Sequence, residues 1–317
     1  MIGTVFKDAL FVLAVFILPF ITLGLIRKCK AGLQSRVGPP VLQPLYNMLK
    51  FMNKDQTISE TTSWVFRASA AVSAATILLI ACLLPWLSFK PAFPGDDLFL
   101  LLYLFALLRF MIVLSALDAG SPFGAFGASR EAYLGMLAEP AMFITLAALG
   151  LIAHSSNLQQ IFDLSQSSTI YDVPVWLAAS VAFFLCSVVD LSRMPIDDPT
   201  THLELTMVSE ALIIENSGKN LALVEFTHFL KMAVLYGLTA QCLLHAATYF
   251  VHLSQLAAGL LSVGLILILA VFTAVIESVA VKLRWRATPE FIGYALTMSL
   301  LAAGGALIGE IYVRHGL

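Results

Sequence analysis

Charge is scarce in this chain. Asp, Glu, Lys and Arg make up 12% of its residues, about half of the roughly 25% usual in soluble globular proteins. Apolar residues reach 59% and mean hydropathy is +0.89, so a soluble domain is excluded and a polytopic membrane protein is expected. Cysteine is also sparse. Cys29, Cys82, Cys186 and Cys242 stand alone, with no C-x-x-C pair and no shared neighbourhood of His, so the chain is expected to bind no metal, cluster or other cofactor of its own. Strict polar–apolar alternation is missing, which argues against a β-barrel. No internal repeat pairs broken helices at corresponding positions, the mark of many secondary transporters.

What is present is a series of long apolar runs, at 9–26, 68–89, 98–117, 132–153, 174–190, 222–249, 256–281 and 290–312. Each is close to the roughly 20 residues that cross a hydrocarbon core about 30 Å thick, and a helix satisfies its own backbone groups there. The expected fold is all-α: eight transmembrane helices in a single integral membrane domain, residues 1–317, plus one amphipathic and one acidic helix on the cytoplasmic side. The first run lacks a basic n-region and a small-residue cleavage site, so it reads as a retained helix. Of the Lys and Arg residues, fourteen fall on one side, against Lys7, Lys90 and Arg314 on the other, with Arg109 inside a span. The bias places the basic side in the cytoplasm and both termini outside, in the cell inner membrane. Segments 27–67 and 190–221 are then the two long cytoplasmic connections, available for docking.

In the first, the turn Gly38-Pro39-Pro40 leads into residues 41–52, where Leu42, Leu45, Leu49 and Met52 recur at helical spacing opposite Gln43, Asn47 and Lys50. This is an amphipathic helix for the membrane interface or for a protein partner. The second breaks the charge rule. Between Asp190 and Gly218 lie six carboxylates and one basic residue, Arg193. Asp198 and Pro199 make a helix start and Asn216-Ser217-Gly218 a stop, so the spacing predicts a helix from Pro199 to Glu215. Glu210 shares an apolar stripe with Leu203, Met207 and Ile214. Glu204 and Glu215 share the next with Val208 and Ala211, and His202, Thr206 and Ser209 form a third.

Charges inside the spans need protein or water around them. Arg109 sits near the middle of the third run, with a structural partner or an ion path as its two readings. Glu139 follows Glu131 by two helical turns, about 12 Å, and the adjacent Pro140 is expected to bend the helix and make room for water. Glu225, His228 and Lys231 step by three along the sixth span, where Glu225 and Lys231 either pair or snorkel to the rim. Glu277 is expected to tie to Lys282 or Arg284. Together Glu131, Glu139, Glu204, Glu210 and Glu215 suggest a ladder of carboxylates. Burial and neighbouring negative charge both favour the protonated form of a carboxyl, which suits such groups to proton exchange. Asp190, Asp197, Arg109, Arg130, Glu225 and Lys231 complete the candidate set for proton or ion coupling, and a purely structural role for these charges stays open.

Several stretches match a known family: Arg36-Val-Gly-Pro-Pro-Val-Leu-Gln-Pro-Leu45, Leu117-Asp-Ala-Gly-Ser-Pro-Phe-Gly through Ala128-Ser-Arg-Glu131 with Glu139-Pro140, Met194-Pro-Ile-Asp197, Glu215-Asn-Ser-Gly218, and Ile276-Glu-Ser through Lys282-Leu-Arg284 with Thr288-Pro289. They resemble the heel subunit of complex I and its hydrogenase relatives along essentially the whole chain. The resemblance is strongest to membrane-anchor subunits of energy-converting nickel–iron (NiFe) hydrogenases of the formate hydrogenlyase type. Quinone-reducing members typically carry Glu where Ile26 stands and run several glutamates where this chain has Thr200 and His202, though Asp197 and Glu204 are kept. The resemblance implies a non-catalytic subunit of an oxidoreductase complex, with the NiFe centre and the Fe–S clusters in partner subunits. The expected partners are the hydrogenase large and small subunits, a ferredoxin-like Fe–S subunit, antiporter-like membrane subunits and the lipid bilayer, with no nucleic acid. Asp118, Arg36 and Gln43, which lie in the matching stretches, and Asp198 and His202 of the acidic segment are the docking candidates. A quinone-site heel subunit and a purely structural anchor are the competing expectations.

Overall fold

A computed structural model of the chain describes residues 2–88, 96–164, 171–197, 208–250 and 254–315, with side chains from 9 to 310 within those ranges except 255 and 256. In order, the helices are α1 (Ile2–Leu33), α2 (Gln43–Met52), α3 (Trp64–Leu83), α4 (Leu98–Asp118), α5 (Pro122–Ile152), α6 (Leu158–Ile161), α7 (Asp172–Asp190), α8 (Ser209–Ile213), α9 (Gly218–Thr248), α10 (Gln255–Val279) and, after a 3-10 turn at Trp285–Ala287, α11 (Thr288–His315). Among the described residues, eight of these (α1, α3, α4, α5, α7, α9, α10 and α11) are long and apolar enough to cross a membrane. The protein is an all-α polytopic membrane protein. Hydropathy marks the bilayer crossing rather than the helix end, so α1 runs on past 26 to Leu33 and α5 starts at Pro122 rather than near 132.

Local chemistry starts the spans. Ser63 accepts a hydrogen bond from the N–H of Val65 at the head of α3, Ser121 from Gly124 ahead of Pro122 in α5, and Ser254 from Ala257 in α10. Each satisfies a backbone donor that the first helical turn leaves open. On the side away from the long loops, Leu98 N–H bonds to the carbonyl of Ser156 and Leu158 N–H to that of Asp96, which joins the start of α4 to the segment after α5. α5 runs unbroken through Pro140, although the proline ring removes the donor for the carbonyl one turn back.

The core is organised around α9, which packs against α1, α2, α3, α7 and α10. Every side chain from 229 to 242 is buried. Gly237 allows the close approach: a Cβ there would lie 2.7 Å from the Trp86 carbonyl oxygen and 2.8 Å from its Cβ. Several buried polar groups on this helix are paired, as burial favours. Tyr236 Oη lies 2.9 Å from Thr273 Oγ1, and Gln241 Nε2 donates to Ser88 Oγ at 3.1 Å.

The loop helix α2 forms as expected but lies on its own chain, against α1 and α9. Pro44 is buried and Leu45 and Met48 partly so, whereas Leu42, Tyr46, Leu49 and Met52 stay exposed. The chain entering α2 crosses Gly24 of α1 so closely that a Cβ on Gly24 would lie 2.6 Å from the carbonyl carbon of Val41. The two long connections are bound to each other: Thr57 N–H donates to Ser217 Oγ, Ser217 Oγ donates back to the Thr57 carbonyl, each at 2.8 Å, and Gln56 Nε2 donates to Asn220 Oδ1.

The expected acidic helix from Pro199 to Glu215 is only partly testable, because residues 198–207 lie outside the described residues. Its described end, α8, stops at Ile213, so Glu215 falls beyond the helix and is exposed rather than set in an apolar stripe. Gly218 corrects the expected stop. It has φ +51° and begins α9, packed against the carbonyls of Lys54 and Asp55. A left-handed backbone suits glycine, and the tight contact with the first loop makes the same demand. α8 itself rests on α5, where Gly127 faces the carbonyl oxygen of Val208 and the nitrogen of Leu212.

Candidate functional site

Four spans send charged side chains to one place. Arg109, from α4, pairs through Nη1 with Glu139 of α5 and through Nη2 with Asp190 at the end of α7. Its Nε lies 3.7 Å from Glu131, two turns before Glu139. The other oxygen of Asp190 accepts from Lys231 Nζ of α9 at 2.7 Å, and Lys231 also lies 3.3 Å from the Asp190 carbonyl. Three carboxylates thus share two cations. Desolvating such ions costs about as much as their attraction returns, but deleting one partner strands the other.

A second cluster lies beside the first. Glu277 of α10, 2% exposed at its side chain, accepts from Arg193 Nη1 at 3.0 Å and pairs with Lys30 Nζ of α1 at 3.3 Å. The expected tie to Lys282 or Arg284 is therefore corrected. Lys282 instead pairs with Asp197, whose Oδ2 also accepts from Val208 N–H at 2.9 Å. The reason is direction: the chain leaves helical geometry after Val279, and Lys282 is carried toward the segment after α7, where Leu283 N–H bonds to the Pro195 carbonyl.

Both clusters face a cavity of about 160 Å³, walled by Glu131, Asp190 and Lys231 from the first and Lys30, Arg193 and Glu277 from the second, with Glu210 and Glu225 also in its lining. It has room for several waters, and its polar walls supply the hydrogen-bond partners they need. A smaller pocket is lined by Arg109, Glu139, Asp190 and Lys231. Asp190 and Lys231 are the shared wall. Beyond them Glu139 opens outward, with 41% of its side chain exposed.

The structure therefore brings Glu131, Glu139, Asp190, Arg109 and Lys231 into contact and sets Glu210 and Glu225 on the same cavity. Lys231 pairs with Asp190 rather than Glu225, and neither the expected pairing nor the rim position applies to that lysine. Other candidates fall elsewhere. Arg130 lies over the rings of Phe126 and Trp285, 3.7 and 5.1 Å from their centroids, outside the contacting group. Asp118 caps α3: its Oδ2 accepts from Ser63 N–H, Ser63 Oγ and Phe66 N–H. Gln43 donates along α2 to Asn47, and Arg36 is exposed. Asp198, His202 and Glu204 lie outside the described residues. Sequence reasoning missed Lys30 and the partners of Glu277. Arg193, the lone cation of an acidic segment, and Glu277, a carboxylate in an apolar span, were the available signals, since each needs a counter-charge.

Spans α1, α4, α5, α7, α9 and α10 wall a cavity with paired charges, which defines an integral membrane subunit with buried ionic networks. The model of the NADH dehydrogenase family matches residues 7–304, and the chain belongs to that family, as a complex I-like membrane subunit. It is similar to formate hydrogenlyase subunit 4 of Escherichia coli (strain K12), 34% identical over 218 residues, covering 67% of this chain and 68% of that protein. It is also similar to hydrogenase-4 component C of the same organism, 33% identical over 238 residues and covering 74% and 73%. An NADH-quinone oxidoreductase component of Rubrobacter xylanophilus is 25% identical over 222 residues, covering 66% and 65%. In fold the chain resembles one from the membrane-bound sulfane sulfur reductase, an archaeal respiratory membrane complex, with a TM-score of 0.75 over 96% of this chain and 99% of that one, at 19% identity.

Proposed function

We propose that this chain is the membrane anchor of an energy-converting hydrogenase: it docks a cytoplasmic redox arm and couples that arm's chemistry to proton or sodium translocation by neighbouring antiporter-like subunits. The arm, with the NiFe centre and Fe–S clusters in its own subunits, sits on the face made by segments 27–67 and 190–221, and this chain holds no cofactor. The basic side is cytoplasmic, both termini are outside, and the membrane is the inner one, as the charge bias suggests. Higher identity to the two hydrogenase-type relatives than to the quinone-type one supports this assignment over a quinone site.

The observation that carries the coupling role is the Asp190–Lys231 wall. It lines both the cavity of Glu210 and the pocket of Glu139, whose side chain is 41% exposed. A change of charge or position at the docking face alters the field in the cavity. Asp190 then redistributes between Lys231 and Arg109, and Glu139 feels the change through Arg109. Coupling of this kind needs an element with two arrangements that both ends can bias, and the arginine shared by three carboxylates is the element proposed for that role.

The test replaces Glu139 or Glu210 by Gln in the native operon, and measures assembly, hydrogen chemistry with a soluble donor and gradient formation separately. Normal assembly and chemistry with a lost gradient is the expected result. An unchanged gradient in both variants overturns the coupling role, and lost assembly favours a structural anchor.

A further inference from the structure

Glu131, Gly135 and Glu139 are spaced i, i+4 and i+8 on α5, so they share one face at steps of about 6 Å. Arg109 lies across the middle of that face. A Cβ built on Gly135 would overlap Nη1 of Arg109 and lie 2.5 Å from its Cζ and 2.6 Å from its Nε. Real side chains do not approach so closely, so a side chain at 135 and the guanidinium cannot occupy the same place.

Backbone conformation does not explain the glycine. Gly120 and Gly218 have positive φ, but Gly135 does not, and mid-helix glycine costs about 1 kcal/mol relative to alanine. The space is what matters. The notch lets one planar guanidinium lie flat against α5 and present separate nitrogens to Glu131, Glu139 and Asp190, the forked geometry that distinguishes arginine from lysine.

We propose that Gly135 is a positioning residue: its missing side chain is the slot that holds Arg109 between Glu131, Glu139 and Asp190, and so decides that Glu139 is coupled to the cavity. This rests on the coupling role proposed above. An added methyl displaces the end of a flexible side chain rather than backbone, so Gly135→Ala evicts the guanidinium and leaves the fold standing.

The experiment uses the complete complex carrying Gly135→Ala, Arg109→Lys or both. Gly135→Ala is expected to retain assembly and soluble-donor hydrogen chemistry while gradient formation drops severalfold and its pH profile moves. In the Arg109→Lys background the same change has little further effect, because the fork it would displace is gone. Multiplicative losses in the double variant, or a wild-type gradient and pH profile in Gly135→Ala, overturn the proposal. Thermal unfolding of the purified complexes gives a steric readout independent of ion movement. Non-additive shifts support the slot and additive shifts overturn it, whereas an unchanged gradient in Glu139→Gln overturns only the coupling role. If Gly135→Ala does not assemble, recovery in Gly135→Ala/Arg109→Ala supports the slot and failure there overturns it.

Discussion

Lys231 Nζ lies 2.7 Å from one oxygen of Asp190, while the other oxygen of the same carboxylate pairs with Arg109. One aspartate at the end of α7 therefore holds cations from α4 and α9 together. Lys231→Met leaves a buried carboxylate with one partner fewer and is expected to cost about 3–5 kcal/mol. The double variant Lys231→Met/Asp190→Asn is expected to recover part of that loss, because coupled neighbours are not additive. Thermal unfolding of the purified complex reads both, and equal, additive losses would contradict the pairing.

Glu277 is flanked by two cations of unequal burial. Arg193 is 6% exposed at its side chain and Lys30 13%. Arg193→Met is therefore expected to destabilise more than Lys30→Met, and Glu277→Gln, which leaves both cations facing a neutral group, more than Lys30→Met as well. Native-gel assembly and melting of the complex give the order. Lys30→Met as the most damaging of the three would show that the cluster is held from α1 instead.

Asp197 bonds to Lys282 and to the backbone of Val208, and so ties the residue before α8 to the chain just after α7. Asp197→Asn keeps an acceptor for Val208 N–H but loses the ion pair, whereas Asp197→Ala loses both. With the orientation proposed above, limited proteolysis within 190–221 in inverted membrane vesicles is expected to quicken in the order wild type, Asn, Ala. Indistinguishable Asn and Ala rates would remove the Val208 bond from the account.

Asp118 accepts three hydrogen bonds at the head of α3. Asp118→Ala is expected to cost about 1 kcal/mol, the scale of a lost helix cap, and to leave binding of the proposed redox arm unchanged. Loss of the proposed arm from a complex of undiminished stability would support the docking role that its motif suggested.

The spans were legible because crossing a bilayer imposes length, apolarity and helical hydrogen bonding that composition records directly. α2 was legible too, through the spacing of Leu42, Leu45, Leu49 and Met52, but not the surface it rests on: Pro44 and Met48 pack inward while most of the predicted stripe stays exposed. Glu139, Glu131, Arg109, Asp190 and Lys231 were each visible as charges out of place in apolar sequence. Their pairing was not visible, because Arg109 and Asp190 are 81 positions apart and periodicity speaks only within one helix. Glu277 shows the same limit, since nearby basic residues in sequence pointed to Lys282 and Arg284 while folding supplied Arg193 and Lys30.

The amino-acid sequence by itself determined the membrane class, the helical architecture, the eight crossings and the list of charges that had to find partners, because each follows from local composition and from the cost of exposing ions or backbone to hydrocarbon. Tertiary structure alone decided which charge meets which. It set Asp190 between Arg109 and Lys231, placed Glu277 between Arg193 and Lys30, and laid a guanidinium on the bare face of Gly135. Those choices depend on how helices distant in sequence cross, and a crossing fixes positions that no single helix encodes.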